Sequence, residues 1–308
     1  MPVIRIATRK SRLALWQAEH VASLLRAAHP GLEIEFNAMR THGDRLLDAP
    51  LAKVGGKGLF VKQLEVALLQ GGADIAVHSL KDMPVHLPQG LIMPVMLERE
   101  DPRDALVSRR GLRLDTLPEG ARVGTSSLRR RCQLLALRPD LEVLDVRGGV
   151  DTRLSHLDEG RYDAIVLACA GLKRLDLDAR IGEAIDPERF VPAVGQGVIA
   201  IECREADAAT RALIAPLNDE VSALRARSER ALNASLDGGC QVPIAAHAVV
   251  RGDELRMAAL VASPDGAEVL RESGSSARDE GESLGQRLAR RLLDRGARAI
   301  LDAVYSES

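Results

Sequence analysis

Two kinds of apolar spacing alternate along the first 97 residues. VIRIA near the start predicts a buried strand, and the residues after it put Leu13, Trp16, Val21, Leu24, Leu25 and Ala28 on one helical stripe. EIEFNAM predicts a second strand. A helix with Phe60, Leu64, Ala67 and Leu68 on one face comes next, and ADIAVHSL then predicts a third, buried strand. Such alternation predicts a mostly parallel sheet covered by helices.

The run EREDPRD, residues 98–104, breaks the apolar pattern around Pro102 and predicts a hinge or boundary. A second α/β region follows, through VGTSSLRRRCQLLAL, EVLDV, RGGVDTRLSHL and DAIVLACAGL to FVPAVGQG. VIAIEC is a further buried strand, and periodicity leaves open which region it joins. From about residue 220 the style changes. A helix with Val221, Leu224, Ala231 and Leu232 precedes three strand-like segments separated by the turn signals RGD and SPDG. Within ELRMAALVAS, Leu255, Met257, Ala259 and Val261 alternate as in a half-buried antiparallel strand, and a final amphipathic helix carries Leu284, Leu288, Leu293, Ala297 and Leu301. The sequence thus reads as α/β, α/β, then a smaller α+β unit.

Composition narrows the class. With 308 residues, 46% hydrophobic and 28% charged, the chain suits two or three globular domains. No run approaches the ~20 apolar residues of a membrane span, and MPVIRIATRK turns polar too early for a signal peptide. A cytoplasmic location is therefore expected. The net charge of -2 and 2% aromatic content oppose a nucleic-acid partner. Of the 42 cations only six are Lys, leaving 36 Arg. Base-composition bias is one explanation; the fit of the guanidinium fork to carboxylates is another, and the positions of the Arg residues decide between them.

Cys132, Cys169, Cys203 and Cys240 form no CxxC pair, so neither a metal site nor a dithiol motif is expected. Cys132 falls in a helix, and Cys169 and Cys203 fall in strand-like runs where buried thiols are ordinary core. Cys240 follows Gly238 and Gly239 and precedes Pro243, a loop setting in which a thiol can react.

One pattern recurs at three strand ends. Thr8, Arg9, Lys10 and Ser11 follow VIRIA; Gly124, Thr125, Ser126, Ser127, Arg129, Arg130 and Arg131 surround the next helix start; Arg147, Gly148, Gly149, Thr152 and Arg153 follow EVLDV. Free amides at helix N-termini favour anions, and cations set against the helix dipole imply an anion between them. Residues 122–153 hold seven Arg against four acids, so several separated carboxylates on one ligand suit the geometry. Lys81 and Asp82 end the strand ADIAVHSL ahead of Pro84, which makes Asp82 either a general acid/base beside that crevice or an ion-pair partner of Lys81. His78 and His42 read as ordinary polar residues. In AKVGGKGLF the phosphate-loop spacing is absent; Lys53 and Lys57 among Gly55, Gly56 and Gly58 read as a lid over an anionic ligand.

Taken together, RIATRKS, GGKGLFVKQLE, ADIAVHSLKDMP, GTSSLRR, GLKRL, VGQG and DGGCQVPI resemble porphobilinogen deaminase, in the same order, from about Ile4 to Tyr305. The resemblance implies two periplasmic-binding-protein-like α/β domains around a cleft, here residues 1–97 with 198–215 and residues 103–191, and a smaller α+β domain over 220–308. It implies condensation of four porphobilinogen molecules into hydroxymethylbilane with loss of ammonia, in a cytoplasmic monomer. One dipyrromethane cofactor per chain would be thioether-linked to Cys240, and Asp82 would be the catalytic aspartate. Arg9, Ser11, Lys81, Thr125, Ser126, Ser127, Arg129, Arg130, Arg147, Gly148, Arg153 and Arg174 would line the cofactor and substrate site, with Gln17, Phe60, Ser79 and Gln196 around the cleft. Gly149 stands where the family commonly has Asn, and Arg12 where Pro is common. A non-catalytic two-lobed polycarboxylate binder would share the Arg clusters and leave Cys240 and Asp82 without a role.

Overall fold

The computed structural model describes residues 3–41, 61–239 and 242–306. Its elements form three sheets. The first contains β1 (Val3–Arg9), β2 (Glu33–Met39), β3 (Ile75–Ser79), β4 (Leu91–Met96) and β10 (Ile199–Arg204), in the order β2-β1-β3-β10-β4. Strands β1, β2 and β3 run parallel, while β10 is antiparallel to both its neighbours. Helix α1 (Arg12–Ala28) covers one face and α2 (Lys62–Leu69) the other, so β3 is apolar on both sides rather than alternating.

The chain crosses to the second sheet through residues 97–103. That sheet holds β5 (Asp104–Ser108), β6 (Arg122–Gly124), β7 (Glu142–Leu144), β8 (Ala164–Ala168) and β9 (Glu183–Ala184), in the order β7-β6-β8-β5-β9. It repeats the first plan: three parallel strands, then an antiparallel one. Helices α3 (Leu128–Leu137), α4 (Val150–Asp158) and α5 (Cys169–Lys173) follow β6, β7 and β8. After β10 come α6 (Ala208–Ile214) and α7 (Glu220–Ser235). The third sheet is antiparallel, β11 (Ile244–Arg251), β12 (Glu254–Ala262) and β13 (Val269–Ala277), packed on α7, α8 (Gly281–Asp294) and α9 (Ala297–Ser306).

Several sequence expectations need correction. The buried stripe of α1 is Ala14, Gln17, Ala18, Val21, Ala22 and Leu25; Leu13, Trp16 and Leu24 are half-buried and Ala28 is exposed, because small alanines let the helix lie close on the sheet. Helix α7 likewise buries Ala223, Ala226, Ser228, Glu229 and Leu232 and leaves Val221 exposed. Cys169 begins α5 rather than continuing a strand. The final helix is two helices, since Gly296 between α8 and α9 takes φ +100°, a left-handed conformation that ends a helix. The run EREDPRD, read as a hinge or boundary, carries buried charge. The Arg99 side chain is 1% exposed and meets Glu229 at 2.6 Å, and Asp104 is fully buried.

Candidate active site

Because β1 and β3 run parallel, Ile6 beside Ile75 and Ala7 beside Ala76, their carboxyl ends share one edge. Arg9 ends β1 half-buried, and Ser11 caps α1, its Oγ accepting from the Ala14 amide at 3.3 Å. Ser79 ends β3 and accepts Gln17 Nε2 at 2.8 Å; Gln17 is buried beneath the strand end and supports it. Leu80–Asp82 form a single 3-10 turn. Leu80 is its buried anchor, donating its amide to the Val198 carbonyl at 3.0 Å, and this holds Lys81 and Asp82 half-buried at the edge.

On the second sheet the ends of β6 and β7 are laced together. The Thr125 amide donates to the Leu144 carbonyl at 2.8 Å, and Ser126 Oγ both donates to the Val146 carbonyl at 2.9 Å and accepts from the Val146 amide at 3.1 Å. Thr125 Oγ1 accepts from the Ser127 amide at 3.2 Å, and Ser127 opens α3 half-buried with no side-chain cap bond. Thr125 and Ser126 thus shape the loop that leads into α3. Gly148 has φ +99°, and a Cβ there would come within 2.7 Å of the Thr152 side chain, so the turn requires glycine. Its carbonyl accepts Arg153 Nε at 2.9 Å, and Arg147 lies half-buried beside it.

Electrostatics couple the two edges. Burial, then Arg130, pushes the Lys81 ammonium down to about 8, against the pull of Asp82 and Asp104. Burial, then Arg130, with Arg147 adding to it and Asp82 opposing, brings Arg153 down to about 10. Lys81 and Asp82 from the first sheet therefore share one field with Arg130, Arg147 and Arg153 from the second. Arg174 stands apart: buried, it donates Nη2 to the Gly197 carbonyl at 2.7 Å, stacks over Trp16 at 5.9 Å, and falls to about 10 through burial, with Glu100 opposing.

Arg129 and Arg130 do not both await an external anion. Asp104 takes them at 2.7 and 2.8 Å, and although burial raises its carboxyl, the two guanidiniums outweigh that and hold it far below the usual range. Gln196 is fully buried and reaches Asp104 and the Pro102 carbonyl. Asp104, Arg99 and Glu229 are absent from the sequence reading; the available signal was an acid heading the otherwise apolar strand DALVS, where a buried charge demands a partner. Both departures from the family pattern find a setting. Arg12 donates to Asp151 at 2.8 Å and to the Leu175 carbonyl at 3.2 Å, and Gly149 has open space where a Cβ would stand.

Phe60, Lys53, Gly55, Gly56, Lys57, Gly58, His42 and Cys240 lie outside the described residues. Among the described residues no cluster of His, Cys, Asp or Glu could hold a metal ion, and no helix is long and apolar enough to cross a membrane. A dipyrromethane, with an acetate and a propionate on each ring and two pyrrole N–H groups, needs separated cations around one anionic acceptor. Lys81 and Arg153, each in the field of Asp82, supply cations around one acceptor, so the residues fit the group.

Among solved structures the chain is similar to the BvgS VFT2 domain of Bordetella pertussis, with 18% identity over 70% of this chain and 85% of that one and a TM-score of 0.42. It is also similar to the periplasmic aliphatic sulphonate binding protein SsuA of Escherichia coli, with 16% identity over 77% and 71% and a TM-score of 0.42. Family models match most of the sequence: "Porphobilinogen deaminase, dipyromethane cofactor binding domain" over residues 4–212 and "Porphobilinogen deaminase, C-terminal domain" over residues 223–294. With a cofactor-binding match that spans both sheets of the site and a C-terminal match beyond it, the chain belongs to the porphobilinogen deaminase family, transferases of tetrapyrrole biosynthesis.

Proposed function

We propose that the chain is a hydroxymethylbilane synthase. In each cycle the aminomethyl C–N bond of one porphobilinogen breaks, a C–C bond forms to the free pyrrole carbon of the preceding ring, and the proton displaced from that carbon leaves with the amine as ammonia. The observation that carries this reading is Asp82, half-buried at the end of β3 within the field of Arg153 and Lys81. A fixed carboxylate beside the carbon that loses ammonia stabilises the cation developing there and accepts pyrrole N–H bonds. Lys81, Ser127, Arg147 and Arg153, with Arg9 from the β1 edge, bind the acetate and propionate groups and hold successive rings in line. When bound, dipyrromethane supplies the priming pyrrole carbon, and Cys240 is its attachment point.

We take residues 1–97 with 198–215, 103–191 and 220–308 as three domains of a cytoplasmic monomer. β10, which pairs between β3 and β4, supports assigning 198–215 to the first. The lid reading of Lys53 to Gly58 is retained as part of this proposal. Intact-mass measurement tests it on protein purified from porphobilinogen-producing cells. The wild type is expected to carry the mass of one dipyrromethane and Cys240→Ser none; an unmodified wild-type chain overturns the proposal.

A further inference from the structure

Asp104 heads β5 with no exposed surface. An ion there loses several kcal/mol of hydration unless partners replace the water. Its partners come from two segments. Oδ2 accepts Arg129 Nη1 at 2.7 Å; Oδ1 accepts Arg129 Nη2 at 3.1 Å, Arg130 Nε at 2.8 Å and Gln196 Nε2 at 3.2 Å. Arg129 and Arg130 are neighbours in the first turn of α3, where successive side chains diverge by ~100°, yet both fold back onto one carboxylate.

Further bonds fix each guanidinium. Arg129 Nη1 also reaches the Val191 carbonyl at 2.8 Å, and its guanidinium lies 5.9 Å from the Phe190 ring centre. Arg130 Nη1 donates to the Val166 carbonyl at 2.8 Å. Both side chains are nearly sealed, at 5% and 7% exposure. Arg130 nevertheless acts on Lys81 and Arg153, so its orientation sets the field at the cationic wall.

We propose that Asp104 is a positioning residue for the reaction: it holds Arg129 and Arg130 in one orientation and cancels one of their two charges, so that the Lys81 and Arg153 side of the site keeps its cations ready for ligand carboxylates. Arg129 is then a fixed part of the wall rather than a ligand contact, and Gln196 ties Asp104 to the Pro102 carbonyl at 2.7 Å. The role of this wall rests on the proposed function; the grip of Asp104 on the wall does not.

Wild type, Asp104→Asn and Gln196→Met are compared as full-length proteins by circular dichroism, by intact mass, and by the pH dependence of Lys81 labelling with an amine reagent. Lys81 is faced by Arg130, Asp82, Asp104 and Arg129. Loss of the Asp104 charge is expected to lower its titration midpoint by about one unit and the cofactor-loaded fraction by about tenfold. A folded Asp104→Asn protein with an unmoved Lys81 midpoint overturns the proposal. Gln196→Met changes no charge but frees one side of Asp104; if Asp104→Asn fails to fold, this variant decides, with a several-fold fall in cofactor loading or rise in KM supporting the proposal and wild-type values overturning it. A wild type that carries no cofactor overturns the proposed function alone, and the Lys81 midpoint still tests Asp104.

Discussion

Glu229 should be the most damaging site at which to remove a single charge. It is fully buried, and its carboxylate accepts Arg99 Nη1 at 2.6 Å, the Gly195 amide at 2.8 Å and the Ala248 amide at 2.8 Å. Glu229→Gln keeps the shape but leaves one oxygen for these three donors, so the new amide must face N–H groups. Arg99 is left charged in the interior, where its Nη2 already lacks a partner among the described residues. Removing one member of a buried pair costs about 3–5 kcal/mol, and at roughly 2–3 °C per kcal/mol for a chain of this size the midpoint should fall by about 10 °C.

Acid should shrink the difference. Burial raises the Glu229 carboxyl, but Arg99, then His247 and the bonds from Arg99 and Ala248, hold it below its ordinary value. A carboxyl depressed in the folded state contributes stability that is present above its unfolded pKa and lost as pH falls through the folded one. Thermal or urea unfolding at pH 7 and near pH 3 checks both statements. A loss under 1 kcal/mol at pH 7, or a gap that widens in acid, refutes the reasoning.

Asp82→Asn should keep the cofactor mass and slow turnover by about a hundredfold or more, read by steady-state kinetics; near-normal turnover removes Asp82 from the chemistry. His247 is held down to about 4, mainly by burial and with Glu229 opposing, so the unfolded chain protonates first and stability falls between pH 6.5 and about 4, by about 3 kcal/mol. His247→Gln should flatten that part of the urea-midpoint profile. Gly197 has φ +90°, and a Cβ there would overlap the Glu100 carbonyl; Gly197→Ala should lose several kcal/mol, seen as a lowered melting midpoint, and a shift under 2 °C would mean that the turn relaxes.

The strands were legible because apolar runs such as ADIAVHSL end in polar residues that must leave the core, and that also marked Lys81 and Asp82. Helix faces were less so: α1 packs through alanines, and a search for large side chains picks its rim, Leu13 and Trp16, instead. Arg129 and Arg130 were visible as a cluster while their partner was not, since Asp104 lies 25 positions earlier in a charged run that reads as a hinge or boundary. The resemblance set Gln17 and Gln196 around the cleft, but a glutamine under a strand end and one facing a ligand look alike until Ser79 and Asp104 are located in space. The return of β10 to the first sheet came only with the family resemblance, because an apolar run does not state its neighbours.

That return also orders events on the ribosome. The second sheet is built from one uninterrupted stretch, residues 104–184, whereas among the described strands β4 pairs with β10 alone and has no partner until residue 204 has been made. The later half should therefore close first, with β4 waiting as an unpaired strand, a state prone to sticking to other chains. A nascent chain stalled with only residues 1–190 outside the exit tunnel should show amide protection in β5, β6 and β8 and none in β4; protection of β4 at that length would disprove the order.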